Sequence, residues 1–467
     1  MSVIDEHGNP FTGSQDAVAQ YDASIHALLR YGPTILEHAP RLIREHPDVP
    51  MAQALIAYLS LSSTDLPDVA NARDCWSSMG RLPMNDREQA HHRAIGAWAT
   101  GDWVGAGAAL DDLLLRWPAD LLALQLGHQL DFFVGDAANL RDRPGRTLPA
   151  LDPQHPHTAF VRGMQAFGLE ESGDYGAAES AGLQAVEVNP DDVWAVHAVV
   201  HVREMQGRVD DGIRFLVDRE ADWGSGNLFT VHNWWHLALY MLEVGATHRA
   251  LDIYDTEVHN AKSDGVPLEM LDASALLWRL LLDGHDTNGR FGVLADAWDS
   301  RLTPTSWYVF NDLHGIMALV GAGRFAAAER HIEELAGYVH RDGAGTNVRM
   351  ASTIGLPSCR AVLRFGQGRY DEVISELLPI RRAFQVFGGS HAQRDSLVRT
   401  LLESALRAGR HDLARALIAE RLSLRPSSVY GWTQQARLRQ ALGDPEGARA
   451  AEQEASTLRD GFALSVA

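Results

Sequence analysis

Apolar residues recur at intervals of three and four along most of the chain. In "WAVHAVVHVREM", Trp194, Val196, Val199, Val200 and Met205 fall at helical spacing. Alternating β-branched runs and Asn-Gly hairpin signals are nearly absent, so helices are predicted almost throughout. A short motif punctuates them: a glycine, usually followed by Asp or Arg, then an alanine-rich amphipathic run. It occurs at Gly101, Gly135, Gly173, Gly207, Gly245, Gly323, Gly368, Gly409 and Gly443, and the first four intervals are 34, 38, 34 and 38 residues. Glycine suits a left-handed helix end, and a proline such as Pro190 resists carrying the next helix back across the break. A unit of two helices cannot bury its own apolar stripe, so neighbouring units must stack. The expected fold is all-α: a right-handed α-solenoid curled around a polar interior groove. Residues 1–90, with weaker periodicity, read as a helical N-terminal cap, and residues 91–467 as the repeat array.

The segment "FGLEESGDYGAAESAGLQAVEVNPDD" resembles the tetratricopeptide repeat in its Gly-Asp-Tyr, small-residue and Asn-Pro pattern. In such arrays the first helix of each pair lines the concave surface. Sorted by that rule, the unusual polar residues share one location. His128 and Asp131, His197, His201 and Glu204, His232 and His236, Asp312 and His314, and Arg394 and Asp395 all lie on first helices or their leading turns. His197, His201 and Glu204 are four and three residues apart and share one helix face. His232 and His236 repeat the four-residue spacing one unit later. Two adjacent helices thus aim four imidazoles and a carboxylate at a common volume.

Composition narrows the partners. The chain has 467 residues and a net charge of −20, which disfavours wrapping around nucleic acid or an anionic membrane. Its two cysteines, Cys75 and Cys359, have no metal-site spacing, so a reducing, cytoplasmic setting is expected. The first residues lack a signal-peptide pattern, and no window approaches about 18 uninterrupted apolar residues. A homo-oligomer is compatible with all of this.

Several segments go beyond generic repeats. "HPHTAFVRGMQAFGLEESGDY", "VWAVHAVVHVREMQGR", "HNWWHLALYMLEVG", "LDASALLWRL", "FNDLHGIMA" and "GGSHAQRDS" together look like the tetratricopeptide repeat protein 38 family, over about residues 155–430 and in the family's order. The resemblance implies an all-helical repeat protein and brings no settled reaction.

Three readings compete for the histidines. They are packed core residues, or ligands of a divalent transition metal (His197, His201, His232 and His236), or the lining of a metal-free polar pocket. Neither HExxH nor a Glu-x-x-His pair includes any of these four histidines, so the metal-free pocket is favoured and no cofactor is predicted. Its candidate acid–base groups are His197, His201, His232, His236, Asp312 and His314, with Asp312 expected to orient His314. Glu204, Trp235, Asp272, Arg394 and Asp395 are the candidate ligand-binding residues. Arg394 would grip an anionic group, and Trp235, not Trp234, would form the groove wall. "DWGSGNLFT" lacks the P-loop pattern, and no Gly-x-Ser-x-Gly elbow occurs. The leading expectation is a pocket in the middle repeats, about residues 155–400, for a small polar or anionic metabolite, with hydrolysis or isomerisation as the reaction classes. The alternative is a scaffold holding an extended peptide in its groove.

Overall fold

The computed structural model describes residues 2–341 and 345–463. Among them are 26 α-helices and one two-stranded antiparallel hairpin, Ser2–Ile4 with Pro10–Thr12. The helices follow one another as packed pairs, an α-solenoid. All nine motif glycines sit at positive φ, between +67° and +91°, a conformation that side chains with a Cβ rarely adopt. Gly284 turns another pair at φ +80° and lies midway between Gly245 and Gly323. The irregular gap in the sequence spacing is therefore two ordinary repeats. The longest interval, Gly323 to Gly368, takes up the additional short helix Thr346–Met350 and a π-turn, Ala351–Gly355.

The first helices meet across the interior. Those that build the site are α1 (Gln15–Leu29), α2 (Leu121–Val134), α3 (His157–Glu171), α4 (Val193–Met205), α5 (Thr230–Glu243), α6 (Pro267–Leu282), α7 (Val309–Gly321), α8 (His391–Arg407) and, behind α8, the second helix α9 (His411–Leu424). Helix α8 packs against α4 and α6 and reaches the end of α3. The N-terminal residues also turn inward. Tyr31 stacks on Trp194 of α4 (5.7 Å, 15°), and its carbonyl accepts a hydrogen bond from the Leu228 amide at 2.7 Å. The side chain of Asn311 donates to the Thr64 carbonyl at 3.0 Å, and Thr346 accepts from the Trp103 amide at 3.0 Å. Residues far apart in sequence thereby close the superhelix on itself.

One buried ionic network joins the hairpin to the first repeats. Arg87, 1% exposed, donates to Asp120 Oδ2 at 2.6 Å, to the Pro10 carbonyl at 3.2 Å and to the Tyr21 hydroxyl at 3.3 Å, and lies 3.1 Å from Asp5. Asp120 also caps α2 by accepting from the Ala123 amide at 3.0 Å. Burial would raise its carboxyl, but Arg87 and His91 hold it far below the usual carboxylate range. Replacing Arg87 by Met strands two carboxylates in the interior. The expected loss is about 3–5 kcal/mol in urea unfolding. A variant as stable as the parent would contradict this assignment.

Candidate functional site

The four histidines meet at the centre of the superhelix. Asp192 caps α4 by accepting from the Trp194 and Ala195 amides, which fixes where its helical register begins. His197 and His201 then stand one turn apart, with ring centroids 4.4 Å from each other. Helix α5 sets His232 and His236 against them: His201–His236 is 4.5 Å and His197–His232 4.9 Å. One ring nitrogen from each residue lies within 4.8 Å of the other three. His197, His201 and His236 are no more than 1% exposed.

Carboxylates from other helices face three of these rings. Asp272 Oδ2 of α6 accepts from His232 Nδ1 at 2.7 Å, and Glu204 Oε2 accepts from His236 Nδ1 at 3.0 Å. Glu170 Oε2 of α3 stands 3.6 Å from His201 Nδ1. Burial first, and mutual repulsion second, hold His197, His201 and His236 well below the ordinary imidazole range, so these three are neutral. Neutral imidazoles are acid–base groups only where a ligand reaches them, and they are also the form that coordinates metal. Trp235, Phe167 and Trp194 wall the cluster. Trp235 is fully buried and stacks on His232 at 5.2 Å, with Arg279 over its face at 5.5 Å. It therefore lines the cluster and no open groove. Trp234 is half-buried, packs against the core and donates to the Gly224 carbonyl at 3.1 Å.

Helix α8 fills the space opposite the cluster. Ser390 and Gln393 form a reciprocal capping box at its start. The His391 amide donates to Glu171 Oε1 at 2.7 Å, Arg394 donates to Glu171 Oε2 at 2.8 Å, and His391 Nδ1 lies 3.4 Å from Glu170 Oε1. Burial pushes Glu170 up, whereas Arg394 and His391 overcome the burial of Glu171 and hold it down. On the far side of this clamp opens a cleft of about 450 Å³ between the α2 turn, the 3-10 segment Arg381–Phe387, α8 and α9. Five arginines line it: Arg381, Arg382, Arg394, Arg421 and Arg425. Arg381 grips Glu420 at 2.6 and 3.0 Å, and Arg421 grips Asp395 at 2.7 and 3.2 Å. Arg425 has no carboxylate within 4 Å among the described residues; its guanidinium rests 2.9 Å from Met205 Sδ.

The residues singled out from the sequence thus divide. His197, His201, His232, His236, Glu204, Trp235 and Asp272 come together at the cluster. Arg394 and Asp395 line the cleft, both already held in ion pairs. His128 is buried beside Trp194 (5.6 Å), without a hydrogen-bond partner, and Asp131 pairs with Arg143 at 2.8 Å. Asp312 does not orient His314. His314 Nδ1 is bonded to the Phe310 carbonyl one turn back at 2.8 Å, whereas Asp312 accepts from Ser306 at 2.5 Å and from His331 at 2.7 Å. Residues two apart on a helix point in different directions, and this geometry separates the expected couple. Sequence reading missed Glu170, Glu171, His391 and, Arg394 apart, the cleft arginines. Arg421 and Arg425, four residues apart, carried a signal of the same kind as the histidine pairs.

No family model matches the chain. Among solved structures, a human IFIT1 dimer with PPP-AAAA aligns over 95% of this chain and 93% of its own, at 12% identity and TM-score 0.40. Yeast Tom70 aligns over 96% of each chain, at 11% identity and TM-score 0.34. The tetratricopeptide-like architecture rests on this chain's own helix pairs.

The Asp312–His331 pair gives a test in pH. Burial lowers the His331 pKa, but the bond to Asp312 and the charges of Asp312 and Glu334 outweigh it and hold the ring above its ordinary value. A raised folded-state pKa gives stability that is complete below the unfolded value of about 6.5 and is lost as pH rises through the folded value. His331→Gln is expected to lower denaturant stability at pH 6, with the gap to the parent narrowing as pH climbs above about 6.5. A gap independent of pH would contradict the pairing.

Proposed function

We propose that this protein is a ligand-binding helical-repeat protein whose ligand is a small polyanionic metabolite held in the arginine cleft. The observation that carries this reading is Arg425: a cation at a cleft wall that makes no ion pair within 4 Å among the described residues and shares the charge of Asp395 at longer range, in a chain of net charge −20. The other cleft arginines are held by Glu420, Asp395 and Glu171, which fixes their forks in place before a ligand arrives. A cleft of this volume suits a metabolite carrying phosphate or carboxylate groups. The reading keeps the anionic ligand expected from the sequence but moves it outward, away from the closely packed histidine cluster. The acid–base group within its reach is His391, whose side chain is 34% exposed, and not His197 or His201. What favours a metabolite over an extended peptide is the filled interior, where α8 meets α3, α4 and α6.

Calorimetric titration of the full chain with inorganic phosphate, citrate and a nucleoside triphosphate at fixed ionic strength tests this. Saturable binding of at least one is expected, weakened about 10–100-fold in Arg425→Gln, since a charge-assisted bond contributes about 1.5–3 kcal/mol. Arg330→Gln, on an exposed second helix, leaves it unchanged. Absence of saturable binding, or equal affinity in Arg425→Gln, sinks the reading. A peptide that binds with affinity indifferent to Arg425 turns it to the scaffold alternative.

A further inference from the structure

We propose that His197, His201, His232 and His236 form the binding site of one divalent transition-metal ion of borderline softness, zinc or iron(II).

The first support is the direction of the ring nitrogens. A carboxylate oxygen accepts only from N–H, so Asp272 and Glu204 fix the Nδ1–H tautomers of His232 and His236. Their Nε2 lone pairs are then turned away from the carboxylates. This is the arrangement in which a second carboxylate layer orients histidine ligands and raises their basicity. His236 Nε2, His197 Nδ1 and both nitrogens of His201 are buried with no hydrogen-bond partner. The only contact of hydrogen-bond length between two of the four rings joins His232 Nε2 and His197 Nε2 at 3.1 Å. Histidines packed for core stability alone would not leave so many buried polar atoms unpaired.

A second histidine cluster in the same protein shows the difference. Near the N-terminal hairpin, His7 Nε2 contacts His157 Nδ1 at 3.0 Å, His157 Nε2 contacts His26 Nδ1 at 3.0 Å, and His155 donates to Glu6 at 3.0 Å. Each ring of that group has a hydrogen-bond partner, whereas His201 of the central one has none.

Charge and donor type narrow the ion. Imidazole ligands add no charge to the ion they bind, and the carboxylates of Asp272 and Glu204 behind two of them offset a divalent cation in the dry interior. Magnesium and calcium demand oxygen donors, and no thiolate belongs to this group, which leaves ions that imidazole suits. Ligand bonds of about 2.0–2.1 Å bring neighbouring nitrogens to about 3.4 Å in a tetrahedral site. Binding would draw the present envelope of 4.8 Å in to that spacing. Arg279, 2% exposed and with no carboxylate in contact, lies over the Trp235 ring at 5.5 Å, and its charge is felt at His236.

The experiment is elemental analysis of the full-length protein purified without chelator or affinity metal, followed by cobalt(II) reconstitution of chelator-treated protein. About one equivalent of zinc or iron per chain is expected, with cobalt d–d absorption of an imidazole-rich site. His201→Ala combined with His236→Ala abolishes both signals. His314→Ala, a buried histidine outside the group, keeps them. Asp272→Asn, which leaves all four rings in place and is checked for folding by circular dichroism, weakens metal affinity by about 10–100-fold in competition with a chromophoric chelator. The proposal is overturned if the parent protein holds no metal and gives no cobalt absorption, if the double variant retains the ion, or if folded Asp272→Asn binds as tightly as the parent. Anion binding in the cleft is measured separately, so failure of either proposal leaves the other standing.

Discussion

Glu170 and Glu171 at the end of α3 are the hinge on which the interior depends. They take hold of His391 and Arg394 at the start of α8, more than 200 residues later in the chain. An open tetratricopeptide-like superhelix would leave these first helices facing solvent. Here two buried carboxyls draw α8 inward, and the pairing of Arg394 with Glu171 offsets the desolvation of both. The two oxygens of Glu170 divide between the two sites, Oε2 toward His201 and Oε1 toward His391. The histidine cluster and the arginine cleft are thus opposite faces of one clamp.

Charge is sorted accordingly. The chain is strongly acidic as a whole, yet its interior collects arginines at the cleft and neutral histidines at the centre. The low dielectric inside makes each pairing consequential: Asp395 is held well below its ordinary value by Arg421, Arg425 and Arg399, whereas Arg279, which has only carbonyl partners and an indole face, is lowered by burial to about 10. Dense ion pairing and guanidiniums with no carboxylate in contact thus coexist in the same interior.

Much of the architecture was legible in the sequence because its causes are local. Helical periodicity and left-handed glycines are properties of short windows, and all nine motif glycines turned as their context required. The tenth, Gly284, sits in "LLLDGHDTNGR" without the alanine-rich run that marks the others. The histidine pairs on α4 and α5 were legible for the same reason, since four-residue spacing puts side chains on one face. What could not be read was what each face meets. Asp312 found His331 on the following helix in place of His314, and Trp235 was buried by α6. His391 and Glu170 acquire their meaning only from a contact across the closed interior, and no window of sequence carries that information.

The inward docking of α8 has a consequence for how the chain reaches its fold. A solenoid whose repeats touch only their neighbours can nucleate anywhere and grow by increments. In this chain the contacts of α3 and α4 with α8, and of Tyr31 with Trp194, close loops of more than 150 residues, whose entropy must be lost before the contact is gained. The middle repeats can stack as synthesis proceeds, but the interior cannot seal until the chain has passed Arg407. Folding of the periphery is incremental, and completion of the centre is a single late event.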